Sequence, residues 1–114
     1  MTDLHLTTQR TPAGSVLAVA GDLDHDSAGR FRGAVALIAL QPGQLLTVDF
    51  GGLTFCDSSG ITALIAARNQ VHEQGADIVL TEVPAVTVRI LRLLGLDQIF
   101  RIQPVPGADT DPVG

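Results

Sequence analysis

The chain has 114 residues, enough for one domain and too few for two. Hydrophobic residues make up 46% of it, which excludes the disordered class; with four Phe and neither Trp nor Tyr, its core must be aliphatic. The net charge is −5 and all seven basic residues are scattered Arg, so there is no electrostatic footprint for nucleic acid, and any role in transcription should run through a protein partner.

Leu4-His5-Leu6-Thr7-Thr8 alternates apolar and polar residues, as a half-exposed strand does. Thr11-Pro12-Ala13-Gly14 is turn chemistry, and Val16 to Ala20 reads as a second strand that closes an antiparallel hairpin. Gly21-Asp22-Leu23-Asp24 ends that strand and leads into a helix predicted over 26–39, where Ala28, Phe31, Val35 and Ile38 form one apolar stripe. Gly29 and Gly33 weaken this helix by roughly 1 kcal/mol each relative to Ala, so packing must hold it. Gln41-Pro42-Gly43 stops it.

Leu45-Leu46-Thr47-Val48 suits a central strand buried on both faces, and Gly51-Gly52 is expected to break it. After Leu53-Thr54-Phe55-Cys56 the period becomes helical: Ile61, Leu64, Ile65 and Arg68 recur at spacings of three and four up to about Gln74. Gly75 is placed to close this helix in the left-handed conformation. Ile78-Val79-Leu80-Thr81 is a further strand, and Pro84 suits the first position of a third helix. Val86, Ile90, Leu93 and Leu94 are its predicted buried face, with Arg89 and Arg92 pointing to solvent. Gly95 ends it, and a last short strand is predicted over 99–102. The pattern is α/β: a single domain over 1–102 with a mixed β-sheet packed with α-helices, a leading hairpin followed by parallel crossovers. Residues 103–114, rich in Pro, Gly and Asp, read as a disordered C-terminal tail.

The chemistry-bearing stretch is Asp57-Ser58-Ser59-Gly60 at the start of the second helix. Asp57 or Ser58 is its natural N-cap, which sets two hydroxyls and a carboxylate where a helix offers free N–H groups and its positive end. Three readings follow. The plain one is a capped helix start. The second is a hydrolase nucleophile, because Cys56-Asp57-Ser58-Ser59-Gly60 resembles a G-x-S-x-G elbow without its first Gly. The third is a serine that accepts a phosphate, which a helix N-terminus can hold. The second is disfavoured: His72 lies fourteen residues beyond Ser58, about 21 Å along one helix, and His25 sits among aspartates in no matching motif. Gly60 is costly in a helix and implies a close backbone approach, by a partner or by the neighbouring strand.

The run VDFGGLTFCDSSGITALIAARNQ resembles the signature of STAS domains of bacterial anti-sigma factor antagonists. In that family a hydrophobic strand, a short loop and D-S-S-G open the second helix. Two further landmarks match: Gly21-Asp22-Leu23-Asp24 after a strand, and Leu93-Leu94-Gly95-Leu96 at the end of a late helix. The similarity runs from about Leu4 to Ile102, and three motifs in order are far more specific than the tetrapeptide alone. The resemblance implies a phosphorylated serine at Ser58 and a partner-binding surface made of Asp22, Asp24, Asp57, Ser58, Ser59 and Gly60. It implies an anti-sigma factor with serine kinase activity as partner: the unphosphorylated chain binds it and releases the sigma factor, phosphorylation switches binding off, and a serine phosphatase restores it. The chain would be no enzyme and need no cofactor. The alternative is a STAS binding module without switching, such as an accessory subunit of a lipid-transport ATPase. Similar antagonists usually end in another helix, whose pattern is missing here, so contacts made by that helix are not carried over.

No apolar stretch reaches the roughly 18 residues of a membrane span, and the N-terminus has no leader pattern, so a cytoplasmic protein without membrane contact is expected. The single Cys56 reads as a small core residue. His5, His25 and His72 have no ligand spacing among them, so no metal site is predicted.

Overall fold

A hairpin opens the chain: β1 (His5–Thr11) and β2 (Gly14–Leu23) pair antiparallel, from His5↔Ala20 to Thr11↔Gly14. The computed structural model describes residues 3–106. After the hairpin follow α1 (Ala28–Ala36), β3 (Leu45–Cys56), α2 (Ser58–Glu73), β4 (Asp77–Val83), α3 (Ala85–Leu93), a 3-10 turn (Leu96–Gln98) and β5 (Arg101–Pro104). The strands form one sheet in the order β1-β2-β3-β4-β5, parallel after the hairpin. This is the mixed sheet that the sequence predicts. Each crossover steps to the next strand in the same direction, and right-handed steps of that kind bring the helices to one face.

The core lies between that face and the helices. Leu17, Val19 and Leu23 of β2 point into it, with Leu46, Val48 and Phe50 of β3 and Leu80 of β4. Phe31 and Val35 of α1 and Leu64, Ala67 and Val71 of α2 close it from above. The intervening residues of β2, and of β3 up to Asp49, are only half-buried, which is the period of two that a one-sided sheet imposes; β3 is thus buried on one face and not on both as its sequence suggests. Chain reversals match the predicted chemistry, since Gly75 and Gly95 both take positive φ after their helices.

Four further local expectations differ from the structure. The first helix spans Ala28–Ala36, shorter than 26–39. Asp24 holds the chain in a turn up to Ser27, and the stretch after Leu37 is tied to α2 instead: Leu40 N–H donates to Gln74 Oε1 at 2.9 Å, and Gln74 Nε2 donates to Ile38 O at 3.5 Å. Ile38 and Leu40 stay buried outside the helix. Gly51-Gly52 does not break the central strand. β3 runs on through Cys56 and absorbs the pair as a bulge, with Ala18↔Asp49 followed by Ala20↔Gly52. Gly52 is required there, because a Cβ would stand 2.7 Å from that of Ala20.

The third difference is the face of α3. Thr87, Val88 and Leu91 are buried, while Val86, Leu93 and Leu94 are exposed at 66%, 79% and 58%. Pro84 is its N-cap rather than its first residue. The fourth concerns the C-terminus: β5 includes Gln103 and Pro104, and Val105 N–H donates to Val83 O at 3.1 Å. Of the predicted tail, residues 107–114 lie outside the described residues.

Candidate functional site

The end of β2, the end of β3 and the start of α2 meet at one corner. Its geometry follows from two short contacts. Asp57, the N-cap residue of α2, is extended at φ −102 and ψ −170, and its carboxylate accepts the Gly60 N–H at 3.1 Å. Its own N–H donates to Leu23 O at 3.3 Å, which fixes the helix start to the end of β2. Asp22 and Asp24 flank Leu23, so the predicted acidic residues do lie beside the helix start.

Ser58 is the first residue of α2 and is exposed; Ser59 is half-buried. The two hydroxyls face different surroundings. Ser59 lines a pocket of about 210 Å³ between the helices with His25, Gly29, Arg32 and Thr62. Thr62 donates its hydroxyl to Ser58 O at 3.0 Å, which ties it to the helix backbone. Among the described residues neither serine hydroxyl is held by a side chain.

Asp22 and Asp24 are employed differently. Asp22 Oδ1 accepts the Thr54 hydroxyl at 2.6 Å, a link between β2 and β3 on the open side of the sheet. Asp24 Oδ1 accepts the N–H groups of Asp26 and Ser27, each at 3.1 Å, and the Ser27 hydroxyl at 3.1 Å. It is the capping group of the turn into α1. Its carboxylate is thus committed to the fold. Gly60 is not at the surface. It is buried, and a Cβ there would lie 2.6 Å from Leu23 O and 2.7 Å from Cys56 Sγ. The close approach that its glycine implies is to the neighbouring strand, so its part in the corner is to let α2 sit against β2.

Cys56 is half-buried against the core, and burial, with Asp57 adding to it, pushes its thiol up to about 12. Its S–H lies 3.7 Å from Asp57 O. Such a thiol stays protonated and is a poor nucleophile.

Among the described residues no histidine is hydrogen-bonded to Ser58 or Ser59. His72 stands in the last turn of α2, 3.5 Å from Asp77 Oδ1, at the far end of the helix from Ser58. His25 shares the pocket of Ser59, but no hydrogen bond joins them among the described residues. What the corner offers is an exposed hydroxyl at a helix start beside the Asp57 cap and an exposed aromatic ring, Phe55, at 53%. Nothing in the sequence around Phe55 marks it as a surface residue. Its place two residues before Asp57 in a strand gives it the look of core, and only the irregular pairing with β2 reveals its exposure.

Comparison with known proteins agrees with this architecture. Residues 6–104 match a family model described as "Mlab, STAS domain". An anti-sigma-B factor antagonist of Listeria monocytogenes is 25% identical over 89 residues, 78% of each chain. The crystal structure of an anti-sigma factor antagonist from Mycobacterium paratuberculosis superposes with a TM-score of 0.78 at 22% identity, covering 90% of this chain and 86% of that one. That of a sulfate transporter family protein from Wolinella succinogenes gives 0.71 at 14% identity, with 88% and 84% covered. At these identities the two structures speak for the fold.

Proposed function

The chain belongs to the STAS domain family, and from that premise we propose that it acts as an anti-sigma factor antagonist. In this reading the unphosphorylated form binds an anti-sigma factor that is also a serine kinase, and the sigma factor is released. The kinase then transfers the γ-phosphoryl group of ATP to Ser58 Oγ; ADP leaves, the hydroxyl proton passes to the kinase's base, and the complex dissociates. A serine phosphatase returns the hydroxyl with water. The chain is a binding module of the cytoplasm and supplies no catalytic group.

One observation carries this reading: Ser58 is the exposed first residue of α2, set beside Asp57 and the end of β2, where another protein's active site can reach it. The Listeria relative supports the partner class, being named an anti-sigma-B factor antagonist. Incubation with the cognate kinase and ATP, followed by fragmentation mass spectrometry, should place the phosphate on Ser58. Finding it on Ser59, or on neither with a kinase that binds the protein, removes the assignment.

A second reading is a STAS binding module that uses the same corner as a constitutive contact, such as an accessory subunit of a lipid-transport ATPase. The matching family model, described as "Mlab, STAS domain", names no anti-sigma role and so admits this reading as well. Genomic context separates the two: a neighbouring small ATPase-like kinase gene against a transporter operon.

A further inference from the structure

Beyond Asp49, β3 has a strand on one side only. Its ladder with β4 ends at Asp49↔Thr81, whereas its pairing with β2 continues to Leu23↔Cys56. At this level β4 is irregular: Glu82 takes φ 52, and its register against β5 shifts between Leu80 and Val83. One side of residues 51–56 therefore presents peptide groups without a neighbouring strand. Gly51 and Gly52 are exposed, and for glycine that exposure is of the backbone itself. Gly51 N–H is capped by Asp49 Oδ1 at 2.8 Å, so the open stretch starts at Gly52.

Charge selects what fits there. Asp49 caps the stretch, and Glu82 Cβ lies 3.7 Å from the point where a Gly51 side chain would begin. A second copy would set these carboxylates against their own kind, which opposes edge-to-edge pairing. A basic strand meets complementary charge. Phe55 stands at this edge as the exposed one of the four Phe; Phe31, Phe50 and Phe100 are buried.

We propose that the open edge of β3 from Gly52 to Cys56 receives an extended basic segment of a protein partner by backbone pairing, with Phe55 packing on its apolar side chains. The inference rests on the reading of this corner as the partner-binding surface, and it does not depend on phosphorylation of Ser58.

The probe is a synthetic peptide of about six residues that alternates Lys and Val. Its controls are a version with Glu for Lys and a version N-methylated at alternate residues, and each is titrated into the full chain. The Lys peptide should slow hydrogen exchange of the 52–56 amides by roughly tenfold or more, and its affinity should fall roughly tenfold on N-methylation and again in Phe55→Ala. Equal binding of the N-methylated peptide overturns backbone pairing, as does protection of β1 instead, or no binding at millimolar peptide. Equal binding of the Glu peptide overturns the basic partner. A dimer in sedimentation with the same amides protected gives the edge to a second copy and overturns the proposal. None of these readouts uses a kinase, so a failure of the Ser58 assignment leaves them intact.

Discussion

The Asp57 carboxylate accepts the N–H of Gly60 at 3.1 Å, and this bond, made within four residues, organises the corner on which the proposed function depends. Gly60 gives the acceptor a donor and, by lacking a Cβ, lets the first turn of α2 approach Leu23 O. Cap and close approach are thus one device.

Replacing Asp57 by Ala should cost about 1 kcal/mol, the usual worth of an N-cap, and lower Tm by roughly 4 °C. Asp57→Asn keeps the acceptor and should stay near the parent. Thermal melts followed by circular dichroism check both. An Asn variant as unstable as Ala would mean that charge, and not the cap, holds the helix start.

Two glycine-to-alanine changes should have opposite signs. At Gly60 the added Cβ meets the Leu23 carbonyl at 2.6 Å, and backbone cannot give way cheaply, so a loss of about 1–3 kcal/mol is expected. At Gly33, inside α1 and exposed, nothing lies within 4 Å of the new Cβ, and a gain of about 0.5–1 kcal/mol is expected. Urea denaturation of the two variants measures the difference.

The hairpin and the turns were legible because their causes are local, whereas β3 runs on through Gly51-Gly52 and β5 lies at Arg101–Pro104 against the expected breaks and bounds. Pro12 and Gly14 make the hairpin, Gly75 and Gly95 close helices, and Asp57 caps one. The misread parts have non-local causes. The end of α1 is tied down by Gln74, 34 residues from Leu40, and no window of sequence contains both. In α3, apolar residues occur at 85, 86, 88, 90, 91 and 93, nearly all around the helix, so periodicity admits more than one buried face. Packing at the edge of the sheet selected the one holding Val88 and Leu91, with Thr87 inside it. At the corner, residue types were legible but not all of their employment: the bonds of Asp24 reach only two and three residues along the chain, whereas the inward position of Gly60 needs β2 and β3 in place.

Cys56 gives a pH signature free of interference, since the chain has no Tyr and no Lys to titrate in the same range. Its thiol is raised from 9.0 to about 12 in the fold. Between these values the unfolded chain releases a proton that the folded chain keeps, so the stability it contributes is present below pH 9.0 and lost as pH rises toward about 12. Urea midpoints should fall over that window, and Cys56→Ala should flatten the fall. Iodoacetamide at neutral pH should label native Cys56 much more slowly than the unfolded chain.

The last prediction concerns how a phosphate on Ser58 acts. It adds about −1.5 to −2 charge at the first residue of α2. The helix N-terminus favours that charge by typically about 0.3–1 kcal/mol, while the neighbouring Asp57 carboxylate opposes it. Small terms of opposite sign should leave the fold almost unchanged. A partner surface shaped for a neutral hydroxyl meets a different situation, because it must desolvate a dianion beside Asp57, and an unpaired charge in an interface costs several kcal/mol. Each 1.4 kcal/mol is about tenfold in affinity, so a loss of roughly a hundredfold is expected. The proposed switch would thus operate at the binding surface, without refolding. Amide spectra and calorimetric affinity for the anti-sigma factor, with and without the phosphate, test it together. Shifts confined to the start of α2 with the affinity loss support the switch, whereas shifts spread through the sheet, or unchanged affinity, would sink it.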